Sequence, residues 1–504
     1  MEKGFGIDLG SYNTVCAYAD DDHPQGEACF LENIGILVGD PAPGGLKVPV
    51  IPSMIHFLPN MEVLVGEEVK RNSKQSSATT IENFKKRIME MDPTDWPVPP
   101  MPAHKPASLF LARLIHALES RHRINDDTQI VVTCPVDSYE LYTNWLTGQM
   151  KGHLTREPKV LSEPVAAALG YGHHLEVRSN YLVVDFGAGT LDVALLRTES
   201  DNATRFKEIY KSGKNIGGYD IDDWVCKEIA NHENFKGGFF DQNYQLIKRA
   251  ACHLKEQLSR EDKGRVEIDN VFTGGSESWE CSRWEFEAIL ESNGLFNTLD
   301  KALEEVFEKA KRDAGWTREN VMAVFLVGGS CAIPSVQQFF LNAFPGANRV
   351  RFERPLDVVA RGAAIYAAGL ATSGMKDTLY HQYEYRYTDP DSTGPVGDKY
   401  WVIIPAGTKV PSPKSAPLTW TCSRGCDHIQ VRFFENSPNG PEGHGRRPLT
   451  QNEVIEIRPP LRDDKIQVWF EVDENAHLLL TAQVLGAPKP FMDRRQVLRL
   501  PGGN

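Results

Sequence analysis

The chain has 504 residues, 41% of them hydrophobic and 24% charged, the composition of a soluble, well-packed protein with room for two or three domains. A formal net charge of −13 argues against a general nucleic-acid or anionic-membrane binder, because attraction to phosphate needs basic surface. No apolar run reaches the roughly 18 residues that span a bilayer and no signal-peptide pattern opens the chain, so a cytoplasmic location is expected.

In chain order, Lys3 to Leu9 reads as a short buried strand, followed by a glycine turn and a second strand from Thr14 to Ala19. Helical spacing runs from Pro106 to Ser120, a buried strand from Ile130 to Cys134, and a small-residue helix from Glu163 to Tyr171. A second strand pair follows, Tyr181 to Phe186 and Leu191 to Arg197. Helices are expected at Tyr219 to Asn231, Gln242 to Ser259, Phe296 to Ala314 and Pro334 to Phe344, with a strand at Met322 to Val327. Strands alternating with helices predict α/β layers. Beyond Gly369 proline and glycine rise and helical periodicity stops. Val402 to Ile404, Ile429 to Phe434, Val454 to Ile457, Ile466 to Val472 and Leu478 to Val484 predict a separate all-β module.

The two hairpins carry nearly the same residues. Gly6-Ile7-Asp8-Leu9-Gly10-Ser11 and Val184-Asp185-Phe186-Gly187-Ala188-Gly189-Thr190 each run from an apolar strand through an aspartate into a glycine turn and a hydroxyl. Glycine lets backbone N–H groups close on an anion, and aspartate oxygens are hard ligands for Mg²⁺ or its waters. One such turn would be an ordinary tight hairpin; two in the same order suggest a duplicated fold with a polyphosphate between its halves. The alanine-rich stretches Glu163–Gly170 and Val359–Ala368 fit that duplication, as helices whose small faces pack together, although helix propensity alone also accounts for them. Gly328-Gly329-Ser330 before Pro334, and Gly217-Gly218 before Asp220, are further slim turns. The nine cysteines are scattered and read as reduced thiols; Cys422 and Cys426, the one close pair, read as a turn neighbourhood before a metal site.

The order of these pieces resembles the nucleotide-binding domain of the actin, sugar-kinase and 70-kDa heat-shock superfamily, and more closely the DnaK-type heat-shock chaperones. Ile51-Pro52-Ser53, Val132-Thr133-Cys134-Pro135, Glu163-Pro164-Val165-Ala166 and Gly217-Gly218-Tyr219-Asp220 extend the likeness. Met375–Leu379 is similar to that family's linker, and Ile404–Pro411 and Val468–Asn475 to its β-sandwich. The resemblance implies an actin-like duplicated ATPase domain at 1–371, a linker at 372–382 and a β-sandwich substrate domain without a helical lid at 383–504. It implies ATP or ADP with Mg²⁺ as ligands, and client polypeptides and co-chaperones as partners, with neither nucleic acid nor membrane.

By the same resemblance Asp8 and Asp185 would hold Mg²⁺ and its waters, Glu163 its hydration shell, Thr190 the γ-phosphate or attacking water, and Lys85 (or Lys86) the developing charge. Gly10, Ser11, Tyr12, Asn13, Gly187, Ala188, Gly189, Gly217, Gly218, Lys255, Ser259, Gly328, Gly329 and Ser330 would line the nucleotide. Several positions depart from the pattern. Tyr12 replaces a threonine at the phosphate mouth, Glu256 and Ala332 stand where arginines are usual, Leu356 takes an acidic position beside Asp357, and Thr143 replaces a relay arginine. These changes imply altered nucleotide selection and weaker coupling. A nucleotide-sensing scaffold with little turnover is the alternative, and an actin-like filament is disfavoured by the β-module. The tyrosines Tyr383, Tyr385 and Tyr387 would line a peptide groove or form an ordinary half-buried strand.

Overall fold

The computed structural model describes the chain apart from residues 1–2, 59, 61, 72–79, 86–87, 89–96, 99–100, 103, 126–127, 136–139, 155, 157, 173–174, 199–205, 233–237, 270–275, 347–348, 370–381, 388–398, 406–407, 409–410, 422–425, 437–446, 450–452, 462–464, 474–476 and 501–504. Lys86, Cys422 and the expected linker 372–382, save Gln382, lie outside the described residues. The chain divides into two compact units, residues 1–136 with 147–373, and residues 137–146 with 374–504.

In the first unit one strand pattern occurs twice. Gly4–Leu9 pairs antiparallel with Asn13–Ala19 and parallel with Ile130–Cys134, which pairs parallel with Lys159–Ser162. Asn180–Phe186 pairs antiparallel with Leu191–Thr198 and parallel with Val321–Val327, which pairs parallel with Val350–Arg351. Parallel neighbours need long crossovers, which explains the helices between these strands. Ile7, Leu9, Val131, Val132, Leu182, Val184, Phe325 and Leu326 are all fully buried, as expected for strands covered on both faces. Asp8 and Asp185 each sit one residue before the end of their strand. That is the end of a parallel sheet at which ligands bind.

The two alanine-rich helices, Glu163–Tyr171 and Val358–Ala367, are buried along nearly their whole length. They touch backbone to backbone. A Cβ on Gly362 would stand 1.7 Å from the carbonyl oxygen of Ala166, and one on Gly170 would stand 2.1 Å from that of Val358. Packing as well as propensity therefore accounts for their composition. Pro164 occupies the first turn of the earlier helix, where no backbone N–H is required.

Most anticipated elements lie within two residues of their expected ends. The helix expected from Gln242 starts earlier, at Gly238, and helices Glu140–Lys151 and Arg283–Ser292 were not anticipated. The latter carries a legible signal, a capping box in which Ser282 and Glu285 satisfy each other's backbone N–H.

From Gln382 onward the second unit is an all-β module. One sheet runs Lys399–Ile404, Gln382–Tyr387, Phe433–Asn436, Arg447–Pro448, a second Leu418–Thr421, Lys465–Val472, His477–Val484, Met492–Arg499, and Cys426–Val431 pairs with Glu453–Leu461 in a third. Tyr383, Ile403 and Phe433 of the first sheet share one buried cluster with Val468, Phe470 and Leu480 of the second, the arrangement of a sandwich. Two expectations change. Leu478 to Val484 is not the last strand, since Met492–Arg499 pairs with His477–Val484. The stretch Ile429 to Phe434 is two strands, Cys426–Val431 and Phe433–Asn436, in different sheets. Tyr383 and Tyr385 are core residues at 1% and 8% exposure, so they follow the ordinary-strand reading and leave no groove of their own; the Tyr387 side chain lies outside the described residues.

Candidate active site

Both aspartate hairpins open into one cavity of about 230 Å³ in the first unit. Its wall includes Asp8, Gly10, Ser11, Tyr12 and Asn13 of the first hairpin and Asp185, Gly187, Ala188, Gly189 and Thr190 of the second. Lys85, Glu163, Gly218, Lys255, Ser259, Gly328, Gly329 and Ser330 complete the set expected from the sequence. Gly217 alone stands behind that wall. A Cβ there would meet the Ala188 carbonyl oxygen at 2.3 Å, so this glycine lets the helix beginning at Gly218 press on the second turn.

The turns are held open by backbone and hydroxyl contacts. At Gly10 a Cβ would fall 2.1 Å from the Asn13 carbonyl oxygen. Ser53 Oγ donates to the Gly10 carbonyl at 2.7 Å, and the Ser53 N–H donates to the Tyr12 carbonyl at 2.8 Å. On the other side the N–H groups of Gly218 and Tyr219 donate to the carbonyls of Gly187 and Ala188 at 3.0 and 2.9 Å, and Ser330 Oγ donates to the Gly187 carbonyl at 2.8 Å. Gly328 has φ +85, and a Cβ there would meet the Phe186 carbonyl oxygen at 2.5 Å. Asn13 Oδ1 is buried without a hydrogen-bond partner among the described residues.

Three carboxyls and a lysine converge in one part of the wall. Lys85 Nζ donates to Glu163 Oε1 at 2.6 Å, with both side chains buried. Thr133 Oγ1 donates to Asp8 Oδ1 at 2.9 Å. Burial pushes the Asp185 carboxyl well above the usual carboxylate range, and Glu163, Asp8 and Asp192 push it further, against the pull of Lys85. Burial also raises Asp8, opposed by Lys85 and the Thr133 hydrogen bond, and raises Glu163, opposed chiefly by Lys85. Among the described residues three crowded carboxyls share one lysine, a deficit of positive charge that a divalent cation would offset. Among the described residues no three acidic, histidine or cysteine side chains converge closely enough to ligate one ion directly. The donor set therefore suits Mg²⁺, which keeps several of its waters.

Elsewhere in the wall Lys255 pairs with Asp222 at 2.7 Å and donates to the Gly218 carbonyl at 3.0 Å, while Ser259 Oγ donates to the Lys255 carbonyl at 2.9 Å. Glu256, Arg260, Ala332, Ile333 and Leu356 also line the cavity, so with Tyr12 four of the departures noted in the sequence face it. Thr143 is buried on the Glu140–Lys151 helix of the chain and is not part of this wall. Tyr12 lays its ring edge-on to Tyr219 at 6.0 Å, and its hydroxyl lies 3.8 Å from Cys252 Sγ.

Sequence reasoning gave no role to Ser53, Thr133, Asp222 or Arg260. Ser53 and Thr133 stood inside quoted motifs, but only the fold brings them to Gly10 and Asp8. Asp222 is one turn into a helix whose start was recognised, and its lysine partner lies 33 positions later (255 − 222).

Among the described residues no helix is long and apolar enough to cross a membrane. The family model described as Hsp70 protein matches residues 154–489. The chain is 27% identical to the chaperone protein DnaK of Thermotoga neapolitana, over 96% of this chain and 78% of that protein, and the same figures hold for that of Thermotoga maritima. It is 25% identical to the chaperone protein dnaK1 of Prochlorococcus marinus subsp. pastoris, over 100% of this chain and 75% of that protein. Two aspartate hairpins on duplicated sheets, followed by a β-sandwich, are thus accompanied by a match across most of the chain: the protein is a divergent member of the Hsp70 family, with that family's actin-like ATPase lobes and ATP-binding chaperone character.

Proposed function

We propose that this protein hydrolyses ATP with Mg²⁺ and uses the nucleotide state to control polypeptide binding by its C-terminal β-module. The observation that carries the proposal is the cluster of Asp8, Asp185 and Glu163 around Lys85, set at the end of a cavity walled by glycine turns. Mg²⁺, when bound, supplies charge that offsets the phosphates. Asp8 and Asp185 would hold its water shell, with Glu163 beside them. The backbone N–H groups of the Gly10–Asn13 and Gly187–Thr190 turns would grip the phosphates. Lys85, oriented by Glu163, would lie against the transferred oxygens, and Thr190 would orient the attacking water. Phosphoryl transfer asks mainly for such positioning. Lys255, Ser259 and the Gly328–Ser330 turn would hold the nucleoside.

Residues 1–371, 372–382 and 383–504 would act as nucleotide domain, linker and substrate domain. Steady-state ATP turnover that requires Mg²⁺ and disappears in Asp185→Ala supports this reading; absence of turnover in the wild type removes it. The exposed Glu256 and the small Ala332 on the cavity wall favour a second reading, a nucleotide-sensing scaffold without a cycle. Limited proteolysis near residues 372–382 separates the two: ATP-dependent protection favours the cycle, and identical patterns favour the scaffold.

A further inference from the structure

Four contacts join the first half of the ATPase unit to the second beside the cavity. Tyr219 Oη donates to the Ser11 carbonyl at 3.2 Å. The Tyr12 and Tyr219 rings meet at 6.0 Å and 66°, edge to face. Cys252 Sγ lies 3.8 Å from Tyr12 Oη, and Arg260 Nη2 donates to the Gly39 carbonyl at 3.5 Å. Ser11, Tyr12, Gly39, Cys252 and Arg260 all belong to the cavity wall, so these contacts are part of the enclosure. Burial pushes the Cys252 thiol up to about 12, so it stays a protonated donor toward the phenol. An edge-to-face aromatic pair that is desolvated adds attraction beyond its buried area.

We propose that Tyr12 and Tyr219 form an aromatic latch across the cleft that sets the rate at which nucleotide leaves. The inference rests on reading the cavity as the nucleotide site. Tyr12 is itself cavity wall, so a ligand leaving on that side would have to displace its ring contact with Tyr219. The phenyl ring supplies the contact, and the hydroxyl adds little because its sulfur partner is a weak one. The latch therefore slows release without contributing to chemistry.

The test is stopped-flow release of a fluorescent N-methylanthraniloyl ATP from the full-length protein, chased with unlabelled ATP. Tyr12→Thr and Tyr219→Leu should each release about five- to tenfold faster, with association within about twofold of wild type, since loss of one aromatic pair has that magnitude. Tyr12→Phe should release at nearly the wild-type rate. The Tyr12→Thr/Tyr219→Leu double variant should be no faster than the faster single one, because both remove one contact. Unchanged release in either folded single variant overturns the latch, and so do fully multiplicative effects in the double. If Tyr12→Thr does not fold, Tyr219→Leu against Tyr12→Phe decides by the same criterion. A wild type that binds no labelled nucleotide overturns the nucleotide reading itself, whereas intact binding with unaltered release overturns the latch alone.

Discussion

Lys85 and Glu163 stand 78 positions apart in the chain and meet at 2.6 Å in a buried ion pair. The pair is unequal in its surroundings, because Asp8 and Asp185 add two further carboxyls to Glu163's side of the balance. Removing the lysine leaves three acids crowded together; removing Glu163 leaves the lysine with two acids near it. Lys85→Met should therefore destabilise the nucleotide-free protein more than Glu163→Gln does. The loss for Glu163→Gln should fall below the about 3–5 kcal/mol typical of a broken buried pair. Urea unfolding without nucleotide or Mg²⁺ measures both.

On activity the same lysine should matter most in the transition state. Lys85→Ala should lower kcat by about 10²- to 10³-fold, the usual cost of losing one preorganised charge donor. The affinity for ATP should change far less, which equilibrium binding beside steady-state kinetics would resolve.

Asp185 illustrates a site that opposes stability. Its carboxyl is raised by burial and by Glu163, Asp8 and Asp192, so the folded state holds its proton more tightly than the unfolded chain. The stability it contributes is present below the ordinary carboxylate range and is lost as pH rises through the raised value. Asp185→Asn should accordingly raise the Tm of the nucleotide-free protein at pH 7.5, by about 1–4 °C, while abolishing Mg²⁺-dependent turnover. Differential scanning calorimetry with a turnover assay tests both halves of this trade.

Mg²⁺ competes with those protons. As pH falls, the raised carboxyls of Asp8, Asp185 and Glu163 take up protons earlier than free carboxylates would. Mg²⁺-dependent ATP affinity should therefore weaken more steeply with falling pH than Mg²⁺-free binding does. Titration calorimetry at three pH values would show it.

The contact between the two alanine-rich helices leaves no room for a methyl group. Gly362→Ala would place a Cβ 1.7 Å from the Ala166 carbonyl oxygen, and backbone cannot yield as a flexible side chain would. A loss of at least about 3 kcal/mol is expected, at the upper end of overpacking. Gly148→Ala, at an open position in the Glu140–Lys151 helix, should instead gain up to about 1 kcal/mol. Thermal unfolding of the two variants makes the comparison.

The aspartate hairpins were legible because their pattern is local. Asp8 with Gly10, and Asp185 with Gly187 to Thr190, lie within single turns, and their recurrence in the same order is what pointed to a polyphosphate. Lys85 and Glu163 were readable by resemblance, since nothing in Phe84-Lys85-Lys86-Arg87 distinguishes the lysine. Contacts made by tertiary approach were not legible: Ser53 on the Gly10 carbonyl, Thr133 on Asp8, and Tyr12 against Tyr219. Their residue types are ordinary, and only the duplicated sheets bring them together. In the β-module the alternating tyrosines indicated a strand but could not say which face is buried, and the sandwich core claims Tyr383 and Tyr385. The final strand was missed because Met492–Arg499 is mostly polar and charged, and its pairing with His477–Val484 decides its structure against weak propensity.

If the hairpins of Asp8 and Asp185 form one Mg²⁺-dependent triphosphate site, ATP binding must depend on the metal and on both carboxylates. Calorimetric titration of ATP into the full-length protein, with Mg²⁺ and with EDTA, tests it most directly alongside Asp8→Asn and Asp185→Asn. Binding with Mg²⁺ should weaken at least about tenfold in EDTA and by a similar factor in each variant. Equal affinity with and without the metal, or wild-type binding in both variants, would contradict it.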